Sequence, residues 1–303
     1  MIPALEELSH LLPAVRSVAV QADDDRVAWI QQDRYINYRV AEQVQKRFID
    51  LLRCPRRSRM PCLLLTGVPG MGKTHLIRRF MLDYQPEFDP VTGTSLMQVA
   101  ATQLPPEPLE NDFYEELLVA LGLPIFAGSK PGNVRSRARI LARQLGLRLL
   151  IIDEVQSMLV GTYRQQRIFL NSIRFLTNDL QLPIVCVGTP DARAALLTDQ
   201  HLADRFAAIE LTPWRDGDGF GQLLTTFAAM LPLRLSSDLA HPKVRQRLLL
   251  MSEGITVRLF RILEAAAIAA IADGSERISL ETLKGDLGVD SLVSMSERRR
   301  NTI

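Results

Sequence analysis

Cysteine is scarce: Cys54, Cys62 and Cys186 are the only three in 303 residues. An odd, widely spaced set argues against a disulfide framework and against a thiolate zinc site. The four histidines, His10, His75, His201 and His241, share no metal spacing and read as structural. Excess charge of one sign is also lacking, since 36 Lys and Arg stand against 34 Asp and Glu, a formal net charge of +2. Bulk electrostatics therefore neither demand nor exclude a nucleic-acid partner, and any basic surface must be local. No apolar run reaches the ~20 residues that span a bilayer. The opening MIPALEELSH carries acids where a secretory signal carries basic residues. A soluble, cytoplasmic chain with no membrane partner is expected. There is no serine or cysteine nucleophile motif and no internal repeat.

What is present is apolar: 47% of residues, with 23% charged, enough to bury a sizeable core and too ordered a composition for wholesale disorder. Residues 1–25 suggest a short helix or a mobile arm, and 36–53 an amphipathic helix with Val40, Val44, Phe48, Leu51 and Leu52 on one side. The run at 62–66 reads as a strand buried on both faces, 96–101 as the next strand, 147–152 as a second very apolar strand and 183–188 as another buried one, with a short one at 209–211. Helical patterns at 111–121, 134–145 and 164–180 alternate with them. The expected fold class is α/β, a parallel central sheet flanked by helices. From Trp214 onward the composition shifts to helices at 219–230, 242–252 and 257–272, a small helical domain. The expected division is an N-terminal arm and helix (1–60), a nucleotide-binding core (61–213), a helical lid (214–290) and a basic tail (291–303).

Two motifs carry chemistry. Gly67, Val68, Pro69, Gly70, Met71, Gly72, Lys73 and Thr74 fit G-x-x-x-x-G-K-[ST] between a buried strand and a helix. In such a phosphate-binding loop, amides at a helix N-terminus cradle phosphates and glycines permit close approach. Lys73 is expected to reach the β- and γ-phosphates of ATP, and the Thr74 hydroxyl to bind Mg²⁺. His75, next along, is counted among the nucleotide-binding positions. The second motif is Asp153-Glu154, at the C-terminal end of the run 147–152, where parallel sheets place functional groups. Asp153 would hold Mg²⁺ and the nucleotide through water, and Glu154 would polarise the attacking water. Alone, an apolar strand followed by Asp-Glu often marks a helix cap.

Two further catalytic candidates belong with these. Thr189 follows the strand at 183–188 and could face the γ-phosphate, its alternative being an ST-turn that caps the helix at 191–197. Arg205, just before the strand at 209–211, could be offered to a neighbouring subunit's nucleotide, its alternative being a surface pair with Asp204 or Asp199. The stripe Arg164, Arg167, Asn171, Arg174 and Asn178 is by default a solvated helix face, as are the basic clusters at 53–59, 130–139 and 298–300. Lys130, Arg135 and Arg164 are the first candidates for contact with DNA phosphates.

These residues resemble one family, the TniB/TnsC group of AAA+ ATPases that regulate DNA transposition. The resemblance runs from about residue 26 to 285. It is carried by RVAWIQQDRYINY, RSRMPCLLLTG, IIDEVQSMLVGTYRQQRIFLNSIRFLTNDLQLPIVCVGT, DQHLADRF, TPW, LPLR and SEGITVRLFRILEAAAIAAI. The RQQR…FLN…RFL series is the most specific of these. The resemblance implies ATP-dependent homo-oligomers, rings or helical filaments, on double-stranded DNA. It also implies a DDE-type transposase and a TniQ-type targeting protein as partners. Nucleotide would sit between subunits, giving Arg205 its role in trans. Related loops often carry asparagines where this chain has Val68 to Met71. Arg258, the candidate sensor-2 arginine, stands one position later than the family pattern. Two other readings are a helicase loader of the DnaC/IstB kind and a nucleotide-gated scaffold with negligible turnover, against which the intact Glu154 speaks.

Overall fold

The computed structural model describes residues 5–91, 93–107, 109–123 and 131–285. They form two compact units, Met1–Arg39 with Pro213–Ile303, and Val40–Thr212. Helices α1 (Pro13–Ala19) and α2 (Asp23–Ile30) belong to the first. The second begins in α3 (Arg39–Leu52) and continues through β1 (Cys62–Gly67) and α4 (Lys73–Asp83). A hairpin of β2 (Glu87–Asp89) and β3 (Thr94–Leu96) precedes β4 (Val99–Gln103), α5 (Glu110–Ala120) and α6 (Pro131–Gln144). Then come β5 (Leu149–Asp153), a 3₁₀ turn Val155–Val160, α7 (Tyr163–Asp179) and β6 (Ile184–Gly188). Helices α8 (Asp191–Leu196) and α9 (Gln200–Ala203) lead to β7 (Phe206–Leu211). The first unit resumes with α10 (Asp218–Met230), α11 (Pro242–Ser252) and α12 (Thr256–Ala272).

Five strands make one parallel sheet in the order β4-β5-β6-β1-β7. The central strand β1 aligns Leu64 with Cys186 on one side and Ala208 on the other. All six residues of β1 and all five of β6 are buried, as expected of strands covered on both faces. Packed on the sheet, Phe113 of α5 meets Phe169 of α7 edge to face, 5.3 Å between centroids.

Two strand expectations shift. The run at 96–101 yields a strand only from Val99, because 94–96 turns back on 87–89 in an exposed antiparallel hairpin around Gly93, φ 66°. Strand β7 begins at Phe206, three residues earlier than its apolar signal, since pairing with β1 extends through exposed Ala207 and Ala208.

The N-terminal segment is not an arm on its own: 1–39 groups with the C-terminal helices, while 40–60 groups with the sheet. Ile30 and Ile36 share a core with Phe220, Leu224, Leu259 and Leu263. Arg26 is fully buried beside it. Its Nε and Nη2 donate to the Pro232 carbonyl (3.0 and 2.9 Å), its Nη1 to Asp23 and Glu276 (both 2.9 Å), and its Nη2 again to Glu276. Every guanidinium N–H is thus accounted for. The expected basic tail at 291–303 lies outside the described residues. Among those described, no helix is long and apolar enough to cross a membrane.

Candidate nucleotide-binding site

The site grows from the C-terminal ends of three adjacent strands, β5, β6 and β1. Gly67 ends β1 opposite Leu211 of β7. A Cβ there would lie 3.0 Å from both the Leu211 Cβ and its carbonyl oxygen, so a larger residue would have to push β7 aside. Gly72 closes the loop with φ 87° as the residue before α4, a conformation that favours glycine. Val68, Pro69 and Gly70 lie between, and Met71 is buried beneath them. His75 is exposed on the first turn of α4.

Lys73 is 8% exposed and folds back over the loop, its Nζ donating to the carbonyls of Gly67 (2.7 Å) and Val68 (3.3 Å). Burial lowers its pKa, opposed by the Glu154 and then the Asp153 carboxylates. The loop therefore holds a desolvated cation at the N-terminus of α4, the arrangement a phosphate neutralises. From Thr74 the hydroxyl donates to Asp153 Oδ2 at 2.9 Å, across from β5. Burial raises the Asp153 pKa. The Glu154 N–H, bonded to Oδ1 at 2.8 Å, and the Thr74 hydroxyl oppose that shift.

Glu154 adopts the left-handed region (φ 56°, ψ 36°), so the chain turns sharply off β5 into the 3₁₀ turn. Its carboxylate accepts from Gln156 Nε2. At the end of β6, the Thr189 hydroxyl is buried without a hydrogen-bond partner. Helix α8 has no side-chain cap, so the ST-turn alternative for Thr189 does not hold. An orphaned buried hydroxyl, a desolvated lysine and an acid–hydroxyl pair on neighbouring strands fit a polyphosphate with a divalent cation. Among the described residues no group of three or more His, Cys, Asp or Glu could hold a metal unaided. That suits an ion bound by one carboxylate plus phosphate and water.

Arg205 lies elsewhere in the sheet unit. Arg205 precedes β7, where its carbonyl accepts from the Cys62 N–H at 2.8 Å, at the opposite end of β1 from the loop. Its guanidinium donates to Asn178 (2.8 Å) and Thr177 (3.2 Å), not to Asp204 or Asp199. It lines a cavity of about 430 Å³ with Arg57, Arg59, Arg174, His201 and Asp204, a convergence that motif reading missed because its members come from three separated segments. Arg258 opens α12 and pairs with Glu253 at 2.9 Å. Arg135 pairs with Glu110 at 3.4 Å, and Arg139 and Arg143 with Asp179, so much of that basic segment is neutralised. Arg164 is exposed on α7. Lys130 lies outside the described residues. Sequence reading also gave Gln156 no role, although it lies in the IIDEVQSM stretch that carries the resemblance.

Comparison with known proteins places this geometry. No curated protein matches the chain. Among solved structures it is similar to CDC6P from Pyrobaculum aerophilum, at 16% identity and TM-score 0.59, covering 93% of this chain and 74% of that one. It is similar also to the Aeropyrum pernix ORC1 protein in complex with DNA, at 17% identity and TM-score 0.55, covering 85% and 67%. A third is the Aeropyrum pernix ORC2 protein in its ADPNP-ADP complexes, at 16% identity and TM-score 0.55, covering 84% and 70%. At these identities the likeness concerns the fold, that of AAA+ ATPases. The family model of the bacterial TniB protein matches residues 26–216. With well over half its length so matched, and the loop and acidic pair inside that span, the chain belongs to the TniB family of transposition-associated AAA+ ATPases.

Proposed function

We propose that this chain binds ATP with Mg²⁺ and oligomerises on double-stranded DNA. There it marks a transposition target, recruits a DDE-type transposase and works with a TniQ-type protein. The observation that carries the nucleotide part is the convergence of Lys73, Thr74, Asp153, Glu154 and Thr189 at neighbouring strand ends. Lys73 would exchange its two loop carbonyls for phosphate oxygens, and the loop amides would fix the phosphates' position. Thr74 and Asp153 would hold the Mg²⁺ ion, which would supply charge neutralisation. Glu154 would orient and polarise water, and Thr189 would offer its unpaired hydroxyl to the terminal phosphate.

Arg205 supports assembly. Strand β1 is six residues long, so its ends lie about 17 Å apart and Arg205 is remote from its own loop. Set among other arginines in an anion-sized cavity, it is suited to a nucleotide held by another copy. Family membership supports the DNA and transposase partners. The exposed Arg164, together with Lys130 and Arg135, makes the first set of residues to test for DNA phosphate contact.

The test is electron microscopy of the chain with duplex DNA and a non-hydrolysable ATP analogue, beside Lys73→Ala. Ordered oligomers on duplex that Lys73→Ala abolishes are expected. Preference for single strands with binding to a replicative helicase would replace this reading with that of a helicase loader.

A further inference from the structure

Gln156 occupies a position that the motifs leave without a role. It sits on the 3₁₀ turn directly after β5, and its amide spans the gap to β6. The Nε2 donates to the Glu154 carboxylate, while Oε1 accepts the Thr189 N–H at 3.0 Å. A carboxylate only accepts and a backbone N–H only donates, so one amide orientation alone satisfies both. Shape confirms the fit. A Cβ on Gly188 would fall 2.5 Å from Gln156 Oε1, 3.2 Å from the Ala192 Cβ and 3.4 Å from the Gln156 N. Glycine at 188 is what leaves room for the amide. Beyond it stands the Thr189 hydroxyl, buried and unpartnered.

We propose that Gln156 is a positioning residue that ties Glu154 to Thr189. Through its amide, a shift of Thr189 toward the terminal phosphate is passed to the carboxylate that polarises water. The proposal rests on the ATPase reading of the site. The amide touches neither the 67–74 loop nor Thr74, so nucleotide affinity should not depend on it. It holds one carboxylate oxygen of Glu154 and leaves the other to accept from water. Glutamate in its place would set two carboxylates against each other, and asparagine is a methylene too short to reach both strands.

Three variants of the full chain, each assayed with duplex DNA and ATP, test the link: Gln156→Ala, Gly188→Ala and the double substitution. Gln156→Ala should lower kcat roughly 10- to 100-fold, the scale on which supporting hydrogen bonds act, with KM changed less than about two-fold. Gly188→Ala should do the same by pushing the amide off Thr189, because the atom it meets is the far end of a flexible side chain. In the Gln156→Ala background the Gly188 change should add less than about two-fold, since the displaced atom is gone. Independently of nucleotide, the Thr189 amide should exchange its hydrogen about ten times faster in either single variant, with the thermal midpoint of Gln156→Ala unchanged.

Additive effects of the two substitutions, or a KM that rises in step with the fall in kcat, would overturn the proposal. So would a Thr189 amide whose exchange ignores Gln156. A wild-type chain without any hydrolysis would end the ATPase reading, and the exchange measurement then decides the Gln156 link by itself.

Discussion

Replacing Arg26 with alanine should destabilise the first unit by about 3 kcal/mol. Removing one partner of a buried ion pair costs about 3–5 kcal/mol, because the other charge stays behind unpaired. Here the partners differ in what they lose. Asp23 is 62% exposed and regains water, so its share is small. Glu276 is only 12% exposed, but Arg234 still reaches it through Nη1 at 3.3 Å and its backbone N–H at 3.1 Å. The Pro232 carbonyl loses both its guanidinium donors. Partial rescue of Glu276 puts the sum at the low end of the range. The protein brings its own probe, because both tryptophans, Trp29 and Trp214, belong to this unit. Urea unfolding followed by tryptophan fluorescence should show the midpoint falling by roughly 1–1.5 M, for a slope of about 2–3 kcal/mol/M. Adding Glu276→Gln should cost less than the two single changes summed. A loss under about 1 kcal/mol for Arg26→Ala would refute the view that this guanidinium anchors α2.

Glu154→Gln should keep nucleotide binding but slow turnover by roughly 100-fold or more, prolonging the DNA-bound assembly; normal turnover in an ATPase assay would remove Glu154 from its role. Arg205→Ala should bind nucleotide as a single chain yet fail to hydrolyse it in the assembly. Mixing it with Glu154→Gln copies, which still bind nucleotide and assemble, should restore turnover, which an arginine acting within its own chain would not allow. Asp179 has its pKa held below the usual carboxylate range by Arg139 first and then Arg143. Its contribution is therefore present above the unfolded carboxylate value and lost as pH falls through the folded one. Asp179→Asn should cost about 1 kcal/mol at pH 7, after allowing for solvent screening, and progressively less toward pH 3, as thermal melts across that range would show.

The strands that bear the site were readable because burial on both faces leaves no polar residue in Leu149 to Ile152 or in Ile184 to Val187. The loop was readable because close backbone approach and a positive φ leave glycine little competition at 67 and 72. Where the signal failed, the cause was non-local. The hairpin of β2 and β3 is exposed on every residue and so has no apolar period. Arg26 finds Glu276 across 250 positions, and no window along the chain reaches that far. Gln156 looks like any surface glutamine until β5 and β6 lie side by side. The basic clusters misled in the opposite way: adjacency suggested a charged surface, while Asp179 and Glu110 from other helices neutralise part of it.

The first unit is assembled from both flanks of the sequence, Met1–Arg39 and Pro213–Ile303. On the ribosome this imposes an order. The sheet unit, Val40–Thr212, is complete before the residues that cover Ile30 and Ile36 have been made. At synthesis rates of about 5–20 residues per second, α1 and α2 wait on the order of ten to fifty seconds for their partners. During that interval the Arg26 guanidinium and the apolar side of α2 are open to solvent and to chaperones. A fragment that stops at Thr212 should keep its sheet and hold its first 39 residues unfolded. Expressing the sheet unit alone therefore calls for trimming both flanks.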